Sequence, residues 1–549
     1  MRPGRGELWI VGAALLVFGL IAVSFAMPAE EDAFIYYRYA WNWAHGHGLV
    51  FNIGDPVEGF SGPIWMMVLA LLARAGLDLP RTAPALGLLC GAATLVATWL
   101  LGRAAGLSRF GRLATVVALA FSVPFAIWSR SGLETTFYSL AIVVACGAYL
   151  ATEYPLGPGF RRPWLRWVAM LAPIAVTLGR PEGLLLVPIL VADRLTDCRG
   201  RRDFRGALRY ALPTAIGYSG YLVWRFLTFH RLVPNTSVKL YPLLIERSGG
   251  QFLDYVLYLG VLPLALPVVA LLLSRQRRVE RRRLGFLFSV VCLLSFFFNF
   301  FAGGDYRGGF RYFIPTLPLL LVAIWYAFEL LRAGEGKASR LLASTLAPAV
   351  LLALCLCGPL WFLLRNPPRI LGWQRQVFDL WRDPFLDTGH WGVQIALWME
   401  AHVPENSVVA FGQMGRVPYF MAIRGHQITF IDTLGLVDRQ VAQVYRFDHK
   451  LGDMWSALRA GRSLRQALEL GRRERANRVA EAILVRHPDF IMIETALKDY
   501  GMMKALMESP EFKGSYRQID QLPFDLEYVR IYSRQPGIGK GLKTKDPGP

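Results

Sequence analysis

The chain has 549 residues, of which 54% are hydrophobic and 13% aromatic, with a formal net charge of +20. Its mean hydropathy of +0.35 and its many near-continuous apolar runs exclude an ordinary soluble protein. The basic excess is spread over short loops between those runs, which speaks against nucleic acid as a partner.

Taken in order, Arg2 and Arg5 precede a first apolar run near 8–27. The small residues before Met27 resemble a signal-peptide cleavage site. The run is longer than a signal-peptide core, however, and reads as an uncleaved transmembrane helix. Three acids, Glu30, Glu31 and Asp32, follow at its outer end. Ionisable groups at a membrane edge are costly and point to function, although a hydrated helix end is the plainer reading. Arg38 comes next, among Tyr36, Tyr37, Tyr39, Trp41 and Trp43, which read as an interfacial aromatic belt. The segment "GHGLVFNIGDPVEGFSGPIW" is rich in turn glycines and carries Asn52, Asp55 and Glu58. It suits a hydroxyl-rich ligand or a structural cap. His45 and His47 have no partner at metal-ligand spacing.

The run at 62–76 resembles a span, but a crossing there would reverse every later loop. It is read as an amphipathic or re-entrant helix inside one long first external loop, about 28–81. Further runs lie near 82–102, 111–128, 134–151, 164–179, 183–193, 207–228, 252–273, 284–301, 312–331 and 341–363. Together they predict a polytopic α-helical membrane protein with about eleven transmembrane helices.

Charge orients them. With the N-terminus cytoplasmic, the loops "GRAAGLSRFGR", "GPGFRRPWLR", "DRLTDCRGRRDFRG", "SRQRRVERRR" and "LRAGEGKASR" fall inside, and every one is basic. The loops that fall outside collect acids, Asn and Gly. Glu134 and Glu182 there are each placed to cap a helix N-terminus, and are candidate substrate contacts with Asn52, Glu58, Asn235 and Asp305. Arg180, Lys239, Arg307 and Arg311, with Arg38, are candidates for holding an anionic phosphate, since Arg forks match its oxygens; lipid-headgroup contact is the plainer alternative. Asp305 offers a second carboxylate close in sequence to Arg307 and Arg311.

After Leu364 the pattern changes to a soluble α/β domain over 365–535, external by the helix count, with a tail at 536–549 that is disordered by composition. "NSVVAFG", "HQITFID", "PDFIMIE" and "LEYVRIYS" read as strands, and "SLRQALELGRRERANRVAEAILVRH" as amphipathic helix. The six cysteines, Cys90, Cys146, Cys198, Cys292, Cys355 and Cys357, form no disulfide or zinc framework, and the soluble domain has none.

The stretches "EEDAFIYYRYAWNWAHGHGLVFNIGDPVEGFSGPIW", "SGLETTFY", "RPEG", "LVPNTSVK", "GGDYRGGFRYFIPTLP" and "IDTLGLVD" together resemble the mycobacterial terminal β-arabinofuranosyltransferase family and its relatives in other bacteria, within the GT-C superfamily of membrane glycosyltransferases. The resemblance covers nearly the whole chain. It implies a polyprenyl-phosphate sugar donor and an acceptor on the periplasmic side of a bacterial inner membrane. It also implies a catalytic base drawn from an acidic pair after the first helix, here Glu31 and Asp32, with Asp32 favoured. The sugar would be a pentofuranose such as arabinose, and the acceptor an envelope glycan, lipopolysaccharide or glycoprotein. No obligatory metal or other cofactor is expected, a divalent cation held by the acids being the alternative. The rival class is a transporter or flippase of a lipid-linked anion. It would place polar groups near the bilayer midplane in related halves, a pattern this sequence lacks.

Overall fold

The computed structural model describes residues 4–25, 29–156, 162–196, 203–239, 245–274, 277–304, 309–334, 337–365, 391–445, 452–494 apart from 453, 454, 457, 458 and 462, 501–524 and 527–535. The chain opens on α1 (Arg5–Ser24). Two shorter helices follow, α2 (Glu31–Ala44) and α3 (Pro63–Arg74), and then α4 (Leu79–Ala105). The left-handed Gly106 stops α4, and the Ser108 hydroxyl, accepting from the Gly111 amide, starts α5 (Arg109–Ala120). The bundle continues with α6 (Val123–Ser129), α7 (Thr135–Glu153), α8 (Pro163–Gly179), α9 (Leu186–Leu195), α10 (Phe204–Phe229), α11 (Ile245–Leu259), α12 (Val261–Leu273) and α13 (Arg278–Val291).

Among the described residues each apolar run read from the sequence is largely helical, but not every one is long and apolar enough to span. Among the described residues six helices pass that test: Arg5–Ser24, Leu79–Ala105, Thr135–Glu153, Arg278–Ala302, Ile314–Arg332 and Ala347–Leu364. Two further pairs, α5 with α6 (bent by 62°) and Ser248–Leu259 with Val261–Leu273 (bent by 93°), raise the number to eight if each is one span. The expected count of about eleven also needs α8, α9 and α10. Of these, α8 has 17 residues and α9 has 10, while α10 is long but interrupted by Arg209 and Arg225. With 12 residues, α3 is about 18 Å long, too short for a hydrocarbon core of about 30 Å. The helix Leu317–Arg332 forms the buried axis of the bundle, while Leu171, Leu212, Ile216, Val223 and Leu272 on other helices present apolar side chains outward. Such a belt is what lipid contact requires.

The C-terminal part carries a five-stranded sheet in the order β2-β1-β3-β5-β4, where β1 is Val408–Phe411, β2 Thr429–Asp432, β3 Phe490–Glu494, β4 Tyr516–Phe524 and β5 Glu527–Arg534. Strand β1 runs parallel to β2 and β3; β5 runs antiparallel to β3 and β4. Side-chain alternation divides the core. Val409, Phe411, Phe490 and Met492 point into the core shared with the bundle, whereas Ala410, Ile431, Ile491 and Ile493 join Val479 and Ile483 of the helix Leu464–Leu484 on the other face. One face of the sheet is thus packed onto the helices, with α2 between them.

Candidate active site

The residues that sequence reasoning placed outside meet at one end of the bundle. Asp32 sits in the first turn of α2, and its Oδ2 lies 3.6 Å from the Arg311 guanidinium. Arg311 stacks on Trp128, 5.5 Å from the ring centroid, and the Trp128 indole N–H donates to the Gly309 carbonyl at 2.7 Å, fixing the loop before Arg311. Arg311 also interacts electrostatically with Arg180 and Glu182. Arg180 follows the end of α8, where its Nε is 2.7 Å from Glu182 and its Nη1 3.7 Å from Glu134. Tyr138 and Tyr312 flank it at 5.8 and 5.6 Å. Arg180, Glu134 and Glu182 are buried. Neither acid is the plain helix cap the sequence allowed. Glu134 stands at the N-cap of α7 without a capping hydrogen bond and is ion-paired with Arg180, as Glu182 is in its 3-10 turn. The result is a chain of alternating charge, Asp32–Arg311 and then Glu182 and Glu134 about Arg180, built from four separate loops. Such an arrangement can offer Arg311 to an anion beside the Asp32 carboxylate.

Glu31, the neighbouring acid, belongs to another contact. Its Oε1 accepts from the Gly415 and Arg416 amides at 3.1 and 2.8 Å, at the N-terminus of the helix Arg416–Ile423, and the Arg416 guanidinium lies 3.9 Å from Oε2. Burial pushes its carboxyl above the usual range, against the pull of Arg416. Arg38, one stripe further along α2, is buried and donates to the Phe51, Pro418 and Ile428 carbonyls, its guanidinium lying against Phe51 and Phe430 at 4.5 and 5.0 Å. The expectation that Arg38 meets a donor phosphate is corrected: it ties α2 to the C-terminal part that carries the sheet. The aromatic belt is corrected at its three tyrosines, while Trp41 and Trp43 are half-buried. Tyr36, Tyr37 and Tyr39 are buried, and the Tyr36 and Tyr39 hydroxyls bind the first loop through the Gly62 amide (3.0 Å) and the Val57 carbonyl (2.6 Å). Tyr37 reaches its place because Gly132, at φ +77°, has no Cβ to meet the hydroxyl.

The search of solved structures finds this architecture again at low sequence identity. An oligosaccharyltransferase from Archaeoglobus fulgidus, solved with a tethered acceptor peptide, aligns with 96% of this chain and 74% of its own at 12% identity and a TM-score of 0.52. ArnT from Cupriavidus metallidurans, bound to undecaprenyl phosphate, aligns with 97% of this chain and 99% of its own at 13% identity and a TM-score of 0.50. The mycobacterial arabinofuranosyltransferase AftD aligns with 97% of this chain but 42% of its own, at 14% identity and a TM-score of 0.51. The chain has a GT-C-like fold. Residues 385–536 match a family model described as a domain of unknown function (DUF8728). No curated protein matches the chain.

Within this GT-C fold the other predicted residues divide between a second cluster and structural positions. Glu58 is buried against Arg225, with Oε2 2.7 Å from Nε, and accepts from the Tyr221 hydroxyl. Asn235 lies beside it, its amide N–H donating to the Glu58 carbonyl at 3.0 Å and its side chain to the Asp438 carbonyl at 3.1 Å. Asn52 is corrected from substrate contact to structural pin: its side chain donates to and accepts from the Phe430 backbone at 2.8 and 3.0 Å, continuing the β2 edge. Asp305 and Arg307 lie outside the described residues, and so does the side chain of Lys239 at the end of the 3-10 turn Asn235–Lys239. Among the described residues no group of three or more His, Cys, Asp or Glu is placed to hold a metal. Sequence reasoning missed Trp128, Arg225 and Arg416. Arg225 was legible as a lone cation inside an apolar run; Trp128 and Arg416 carry no such signal, because their partners are remote in sequence.

Proposed function

We propose that this protein transfers a sugar from a polyprenyl-phosphate donor to an acceptor, at the end of the bundle where Asp32 meets Arg311. The observation that carries the reading is that pair, set in a GT-C fold beside the buried Arg180 group. The neighbours' ligands, undecaprenyl phosphate in ArnT and an acceptor peptide in the oligosaccharyltransferase, support lipid phosphate and acceptor as the two substrates.

The chemistry follows from the groups. A donor phosphate reaching Arg311 competes with Asp32 for the guanidinium and frees the carboxylate to take a proton. In an inverting displacement the acceptor hydroxyl attacks the anomeric carbon and gives its proton to Asp32. The bond from that carbon to the phosphate oxygen breaks, and the charge left on the lipid phosphate is met by Arg311, with Arg180 behind it. The isoprenoid tail stays in lipid, so a site at the membrane rim follows from the donor itself. We place this rim on the periplasmic side of a bacterial inner membrane, with about eleven crossings and the soluble domain on the same side. Arabinofuranose is the proposed sugar and an envelope glycan, lipopolysaccharide or glycoprotein the acceptor. No divalent cation is required by this scheme.

The test is transfer in vitro from defined polyprenyl-phosphate sugars, arabinofuranose first, paired with envelope glycan analysis in a deletion strain. Asp32→Asn should insert normally and lose transfer by about 10²–10⁴-fold, the usual worth of a positioned base. Transfer at the wild-type rate in that variant would remove Asp32 from the mechanism.

A further inference from the structure

A cavity that none of the Asp32 group lines opens elsewhere in the bundle. It has a volume of about 820 Å³ and is formed by α9, α12 and α13. The continuous helix Arg278–Ala302 has 25 residues and so runs about 37 Å from this cavity's rim toward the loop that carries Arg311. The two sites are therefore at opposite ends of the bundle.

One stripe of α13 and its continuation defines the groove. Arg278, Arg281 and Arg282 stand at its mouth, followed by Gly285, Phe286 and then Leu293, at intervals of three, four and seven to eight residues. Cations thus give way to Gly285, Phe286, the hydroxyl of Ser289 and Leu293, a mostly apolar run. The opposing wall is apolar at Pro188, Ile189, Ala192 and Leu271 and polar at Asp193 and Thr196. From Arg278 to Leu293 the stripe is about 22 Å long, about half as long again as one leaflet's share of a hydrocarbon core about 30 Å thick, which leaves length for a headgroup. The only acid on the lining, Asp193, is already engaged by the Tyr149 and Tyr154 hydroxyls and by Arg282. Glu280, on the same turn as the arginines, interacts with Tyr326 on the neighbouring helix and does not line the groove. Arg278 and Arg281 are exposed, and among the described residues their side chains form no ion pair or hydrogen bond.

We propose that this groove binds a phospholipid with an anionic headgroup, its phosphate on Arg278 and Arg281 and its chains along Phe286, Leu271 and Leu293. Two guanidinium forks with no protein carboxylate to satisfy them suit a phosphate, and a headgroup followed by hydrocarbon has the same order of polarity as the stripe.

The test uses the full-length protein in detergent and native mass spectrometry of its lipid adducts. Phosphatidylglycerol should be retained well above phosphatidylcholine of the same chains. Arg278→Gln/Arg281→Gln should weaken phosphatidylglycerol binding by at least about tenfold and leave phosphatidylcholine unaffected. Gly285→Leu, which fills the groove without changing charge, should also release the lipid, while Arg205→Gln, on an exposed arginine of α10, should not. Millimolar inorganic phosphate should fail to displace it. The proposal is overturned if the double variant keeps wild-type affinity, if both phospholipids bind alike, if inorganic phosphate displaces the lipid, or if undecaprenyl phosphate is preferred at these arginines.

Discussion

Glu31 and Asp32 are adjacent in sequence and about 100° apart around α2. That rotation sends one carboxylate to the amides of Gly415 and Arg416 and the other to Arg311. The two acids should separate experimentally. Glu31→Gln weakens charge-assisted bonds to backbone amides and should destabilise the fold by about 1–3 kcal/mol, lowering the melting temperature more than Asp32→Asn does. A larger drop in the Asp32 variant would reverse the assignment. Glu494 supplies a pH test nearby. Burial pushes its carboxyl up to about 7, opposed by the Gln413 side chain, and Asp432 is raised to about 7 for the same reason. An unfolded Glu titrates near 4.3, so between about pH 4.3 and 7 the folded protein binds more protons. Stability from these groups is fully present below the unfolded value and is lost as pH rises through about 7. The wild-type melting temperature should fall from pH 5.5 to 7.5, and Glu494→Gln should remove part of that fall, leaving the part that Asp432 causes. Parallel wild-type and variant curves would refute it.

At the scale of elements, α2 was readable as acidic and aromatic but not as an interface helix. Its residues Glu31, Phe34, Arg38 and Asn42 form one stripe at helical spacing. Phe34 packs under Arg416 at 4.4 Å, and Arg38 bonds Pro418, so the stripe's first three residues face the soluble domain. The periodicity was present in the sequence, but nothing local names the partner, which lies nearly four hundred residues away. Four strands were legible as short β-branched and aromatic runs. The fifth, β4, was missed because Arg517, Gln518, Asp520 and Gln521 make it polar, as suits an edge strand paired only with β5. The approach of α2 to the helix Arg416–Ile423 is close enough that a Cβ on Gly415 would collide with the Glu31 carbonyl. Gly415→Ala should therefore loosen this contact, seen as faster hydrogen exchange across 408–432 with the membrane helices unchanged. Unaltered exchange there would mean the backbone relaxes at little cost.

On the whole-molecule scale, loop charge was the most informative signal. The loops read as inside do gather together: Glu7 pairs with Arg112 at 2.6 Å, Glu153 with Arg194 at 2.7 Å, and Glu329 accepts from Ser108 at 2.6 Å. None of these residues joins the Asp32 group, so the two sets of loops occupy separate ends. What the pattern could not supply was the helix count, because α8 and α9 are shorter than a full span and α10 carries Arg209 and Arg225 within it. Topology has a direct measurement. An export-dependent phosphatase fused after Leu364 should be active, and a cytoplasm-only reporter silent; the opposite result would turn the rim to the other side.

The clamp on Glu31 has a mechanical consequence. Since the next residue along the same rigid helix is Asp32, the soluble domain cannot tilt on its hold of Glu31 without swinging the carboxylate beside Arg311 through an arc. Whatever grips the far side of that domain is thereby geared to Asp32 and, through it, to Arg311.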